Sequence, residues 1–103
     1  METNLNCVER LVMLSIMPRE GNFITLRMMR DIVARVGFSA AEIVEFGIEE
    51  LPDGRVRWTQ DVPTERPFTF AEAEVNLIKK ALKKMDEDEK LNADSVSLYE
   101  KFM

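Results

Sequence analysis

The side chains able to do chemistry in this 103-residue chain are carboxylates, arginines, lysines and a single thiol, because the sequence contains no histidine. That absence removes the commonest general base, the base of the serine and cysteine triads, and the commonest metal ligand together. Cys7 would need a neighbouring cation or a helix N-terminus to act as a nucleophile, and without His it has no standard partner. A small buried thiol is its expected state. Glu42 with Glu45, and Glu49 with Glu50, have the residue types of an acid/base pair, but their spacing does not set them apart from a solvated acidic face. Asp86-x-Asp88-x-Lys90 begins like a calcium loop, yet Leu91 stands where the turn needs Gly and Ser97 where a bidentate Glu is needed. Gly21, Gly37, Gly47 and Gly54 are isolated from one another, so no phosphate-cradling loop is present. These residues point to a protein that is not an enzyme and that uses no metal and no cofactor.

What is left is recognition. Arg55, Arg57 and Trp58 lie close together, and Arg and Trp are residue types that carry binding energy in protein interfaces. They are the candidate contact residues. Lys79, Lys80, Lys83 and Lys84 form a basic stripe, but four acids follow at positions 86–89, which suits a screened surface better than a phosphate track.

These groups need elements to hold them. Residues 4–17 read as a strongly apolar helix, with Leu5, Val8, Val12 and Ile16 on one face and Leu11 and Leu14 widening it; Pro18 ends it. A second helix is expected over Thr25 to Val36, from Leu26, Met29, Val33 and Val36, with Asn22 or Thr25 as its cap and Gly37 as a left-handed stop. Ser39-x-x-Glu42 is a capping box that opens a short helix over 40–46, stopped by Gly47. Pro52-Asp53-Gly54 then turns a β-hairpin in which Glu49 faces Arg57, Glu50 faces Val56, and Ile48, Val56 and Trp58 share a face.

From Gln60 to Pro67 the two prolines predict a connector without strand or helix. Thr69-x-x-Glu72 reads as a second capping box, opening a helix over 70–85 that turns Phe70, Leu77, Ile78, Ala81, Leu82 and Met85 inward. After the charged break at 86–90, a last helix over 93–102 is expected to turn Val96, Tyr99 and Met103 inward, with Leu98 and Phe102 beside them and Asn92 or Asp94 as cap. The fold class is therefore α+β and mostly helical: three N-terminal helices, one hairpin and two C-terminal helices, in a single domain over 1–103.

Composition narrows the setting. The chain is 46% apolar and 32% charged, which is globular, and its net charge of −5 disfavours nonspecific nucleic-acid binding. One cysteine allows no internal disulfide and suits a reducing compartment. The apolar run Leu11–Met17 is too short to span a bilayer, so a cytoplasmic location away from membranes is expected. The seven Met residues are read chiefly as gap-fillers of the core.

The order of helices and hairpin also resembles a winged helix, with residues 25–36 and 40–46 as the helix-turn-helix and the hairpin as the wing. Its would-be recognition helix presents Glu42 and Glu45 where a groove wants Arg, Lys, Asn or Gln, so this is the second reading. In addition, Pro18-x-x-Gly21-Asn22-x-x-Thr25-Leu26, Gly37-Phe38-Ser39-x-x-Glu42-Ile43, Lys83-Lys84-x-Asp86-Glu87 and Leu98-Tyr99-x-Lys101-Phe102 together resemble small uncharacterised proteins of bacteriophages and prophages. The resemblance implies an accessory protein in the bacterial cytoplasm and brings no catalytic residue or ligand. The first expectation is a protein-protein interaction module with a protein partner, able to self-associate as a homo-oligomer; no small-molecule substrate is inferred.

Overall fold

The computed structural model describes residues 1–59 and 63–103, so part of the expected connector, positions 60–62, lies outside the described residues. The elements are β1 (Glu2–Leu5), α1 (Cys7–Ile16), α2 (Phe23–Val36), α3 (Ala40–Phe46), β2 (Glu49–Glu50), β3 (Val56–Arg57), β4 (Arg66–Thr69), α4 (Glu72–Glu87) and α5 (Ala93–Phe102). The expected α+β, mainly helical order is present, with one addition. A second antiparallel pair joins β1 to β4, with Glu2 opposite Thr69 and Leu5 opposite Arg66.

This pair corrects two expectations. The first helix does not begin at residue 4: Asn6 ends the strand and caps α1, its side chain accepting from the Glu9 amide while the Glu9 carboxylate accepts from the Asn6 amide. The connector does not run to Pro67 either, because Pro67 lies inside β4. Phe70 and Met1 exchange both backbone hydrogen bonds, so in the alternating antiparallel pattern the nitrogen of Pro67 points away from β1, where a proline leaves no ladder bond unmade.

The outer edges of this small sheet are occupied. Arg35 donates to the Thr69 carbonyl at 3.1 Å, and Lys101 donates to the Asn4 carbonyl at 2.6 Å. With Pro67 offering no donor, neither edge presents a continuous row of free backbone groups, which blunts pairing with another strand.

The core gathers Leu5, Met13, Met17, Ile32, Val36, Phe68, Phe70, Val75, Ile78, Leu82, Leu98 and Phe102 between the β1–β4 face and α1, α2, α4 and α5. Phe70 stands edge-on to Phe102 at 5.7 Å and stacks on Phe68 at 6.4 Å. Several helix faces are rotated from the expected ones. In α1 the most buried side chains are Cys7, Glu9, Arg10 and Met13, while Val8, Val12 and Ile16 are half-buried. In α2 Ile32 and Val36 point inward and Val33 is 37% exposed. In α5 the inward residues are Ser95, Leu98 and Phe102, whereas Val96 and Met103 are exposed.

Starts and stops follow side-chain chemistry. Asn22 caps α2, Ser39 and Glu42 form the expected capping box of α3, and Asn92 caps α5. The expected box at Thr69 and Glu72 is not formed. Thr69 belongs to β4, and the start of α4 is held by Glu74, whose carboxylate accepts from the Ala71 amide at 2.9 Å. Gly37 does not take a left-handed conformation; its φ is −59° and its amide reaches the Val33 carbonyl. Gly47 does, at φ 63°.

The helix α4 runs through Asp86 and Glu87 before it stops. The Lys90 amide bonds to the Met85 carbonyl and the Glu89 amide to that of Asp86, the paired bonds of a Schellman stop, with Glu89 at φ 56° where Gly is usual. The hairpin is as expected. Glu49 pairs with Arg57 and Glu50 with Val56, the Gly54 amide closes the turn on the Leu51 carbonyl, and Ile48, Val56 and Trp58 are half-buried on one face.

Candidate functional site

The expected contact residues are brought onto one hairpin, but their charges are turned inward on the chain. Arg55 donates to Asp53 at 2.7 Å, and both Nε and a terminal nitrogen of Arg57 donate to Glu49 at 2.9 and 2.7 Å. Trp58 is half-buried beside them. These are exposed pairs, each worth under about 1 kcal/mol, and they set the hairpin's local order more than they hold the fold.

The most elaborate polar cluster lies inside. Arg10 is 1% exposed; its guanidinium donates to the Val36 and Gly37 carbonyls, each at 2.9 Å, and bidentately to Glu42 at 2.6 and 2.9 Å. Its charged carbon sits 4.0 Å from the centre of the Phe38 ring and 5.1 Å from that of Phe68. The Arg10 hydrogen bonds hold the Glu42 carboxyl down to about 2, against burial, with the Ser39 amide helping. One side chain of α1 thus binds the α2–α3 junction, the start of α3 and the face of β4. With four hydrogen bonds and two aromatic neighbours spent on it, Arg10 is a structural pin, not a group waiting for substrate.

Two further carboxylates are held in the same manner. Glu74 pairs with Arg35 at 2.9 Å, and that hydrogen bond, with one from the Ala71 amide, lowers its carboxyl below the ordinary range. Glu9 is fully buried and accepts from Lys101 at 2.8 Å, while its Oε2 has no hydrogen-bond partner among the described residues. Cys7 is buried as expected; burial pushes its thiol up, outweighing the opposite pull of Arg10. No group of three or more metal-binding side chains occurs among the described residues.

Two concavities stand out among the described residues. One, of about 950 Å³, lies between the α1–α2 connection and the second half of α4. Lys80, Lys83, Lys84 and Lys90 line it together with Glu20, Glu87 and Asp88, over the apolar Ile16, Leu77 and Met85, so its charges largely cancel. The other is a shallow groove of about 400 Å³ on α2, lined by Phe23, Leu26, Arg27, Met29, Arg30 and Val33.

Beside that groove the chain exposes Phe23 (77%) and Ile24 (68%), unusually large values for side chains of this size. Arg27, Arg30 and Asp31 share the surface, and none makes an ion pair within 4 Å among the described residues. Starting the helix at Thr25 left Phe23 and Ile24 outside it, which hid this face. The signal was the Asn22-x-x-Thr25 spacing, since an Asn cap makes Phe23 the first helical residue.

Comparison with known protein families, curated proteins and solved structures finds no match in any of the three. No helix is long and apolar enough to cross a membrane among the described residues.

Proposed function

We propose that this protein is a non-enzymatic protein-protein interaction module whose main contact surface is the exposed face of α2. The observation that carries the reading is Phe23 and Ile24 standing in solvent beside cations that have no ion-pair partner among the described residues. Apolar anchors flanked by arginines match the composition of interface centres. The hairpin fits the role less well, because Arg55 and Arg57 already hold Asp53 and Glu49. A winged-helix use is not favoured: the outward surface of α3 offers Ile43 and Val44, without the donors that read bases, and Glu42 and Glu45 are tied to Arg10 and Arg66.

The test is site-specific photo-crosslinking in cells that naturally make the protein, with a photoreactive residue at Phe23, Ile24, Trp58 or Glu72. Adducts are expected at 23 and 24 and not at the exposed control position Glu72. Adducts at Trp58 alone would move the interface to the hairpin. None above the Glu72 background at any position would refute the module.

A further inference from the structure

We infer that the occupant of the α2 face is a second copy of this chain, packed antiparallel about a two-fold axis that passes opposite Met29. This rests on the reading of α2 as a contact surface and adds the partner. At ~100° per residue the inward direction of α2 is set by Ile32 and Val36, so the outward surface carries Phe23, Arg27, Arg30 and Ala34, and on its side away from the groove Ile24 and Asp31 join Arg27 and Ala34 in one exposed stripe.

An antiparallel two-fold axis opposite Met29 matches each residue with the one equally far on the other side of position 29. Arg27 then meets the second copy's Asp31, twice by symmetry, and Ile24 meets the second copy's Ala34. All four side chains are exposed. The pattern is self-complementary in both respects that matter. Opposite charges face each other across the axis, and the large apolar residue at one end meets the small one at the other, which allows helix axes to approach to about 8–10 Å.

Charge also selects the register. Centring the axis at residue 30 would bring the two Arg30 guanidinium groups together, and centring it between 28 and 29 would set Arg27 against the second copy's Arg30; both are repulsive. Within one chain Arg27 and Asp31 are four residues apart, yet they form no ion pair within 4 Å, so neither is committed to the other. The antiparallel arrangement also opposes the two helix dipoles favourably. The 14-residue α2 is about 21 Å long, so one helix pair gives a small interface and a weak, concentration-dependent dimer.

Sedimentation velocity from about 1 to 500 µM tests this on the whole chain as wild type, Arg27→Asp, Asp31→Arg and the double variant, with circular dichroism confirming the fold of each. The expected result is a concentration-dependent dimer that each single reversal weakens by about 10-fold or more and that the double reversal restores to within about 3-fold. A monomer at 500 µM, or a dimer indifferent to all three variants, overturns the proposal. A monomer that still crosslinks from position 24 to a different protein removes the second copy as occupant while leaving the contact surface in place.

Discussion

Replacing Glu42 by Gln removes one charge from the Arg10 cluster while keeping the side chain's length and one oxygen to accept from the guanidinium. In the folded protein the Glu42 carboxyl lies at about 2, against an ordinary 4.5, chiefly because it holds Arg10 through two hydrogen bonds, and its side chain is 20% exposed. That difference corresponds to about 3 kcal/mol, in line with the roughly 3–5 kcal/mol lost when one partner of a buried pair is removed. The sign follows from a depressed acid: the contribution is complete above about pH 4.5 and is lost as pH falls toward 2. Wild type should therefore exceed Glu42→Gln by about 3 kcal/mol at pH 7, by about 1.4 kcal/mol at pH 3 and by almost nothing at pH 2. Urea unfolding followed by circular dichroism at each pH measures the gap. A gap under about 1 kcal/mol at pH 7, or one that does not shrink with acid, would refute the assignment of Arg10 as a pin held by Glu42.

Three other substitutions probe the backbone. Glu89→Gly relieves a left-handed residue at the stop of α4 and removes a negative charge from a helix C-terminus, so it should stabilise by about 0.5–1 kcal/mol, seen as a melting temperature raised by roughly 4 °C. Gly47→Ala should cost about 2 kcal/mol or more, since it combines a positive φ with a Cβ placed 2.5 Å from the Thr59 hydroxyl; Gly54→Ala, with open space around it, should cost about 1 kcal/mol. Equal losses at the two glycines in thermal denaturation would show that the Thr59 contact is yielding.

The parts of the fold that were legible are those written in neighbouring residues. Ser39-x-x-Glu42 and Gly47 bound α3, and Pro52-Asp53-Gly54 sets the hairpin register, because each signal acts over at most a few positions. The β1–β4 pair was hidden because its partners are more than sixty residues apart, and Glu2–Leu5 blends into the apolar pattern of α1. Asn6-x-x-Glu9, an Asn-headed capping box, was the local mark of where strand gives way to helix. The start of α4 had no such mark, since its cap is Ala71. Arg10 and Glu9 were not singled out, because charged residues are seldom buried, and it is distant groups, Glu42, Lys101, Phe38, Phe68 and the Val36 and Gly37 carbonyls, that make their burial tolerable. For the candidate site, Arg55, Arg57 and Trp58 were chosen by residue type; the hairpin register already set Glu49 opposite Arg57, but nothing in the residue types reveals that Arg55 holds Asp53.

Lys101 bonds to Asn4 and Glu9 across 97 and 92 positions, so the first strand and first helix are completed by the last one. During synthesis, β1 must wait for Phe68 and its neighbours, and the buried Glu9 carboxylate must wait for Lys101, before either is compensated. Closing a loop of this length carries an entropy cost of about 4 kcal/mol before any contact repays it. Contacts of such sequence separation slow folding, and the buried Glu9 carboxylate is compensated only once one of them has formed.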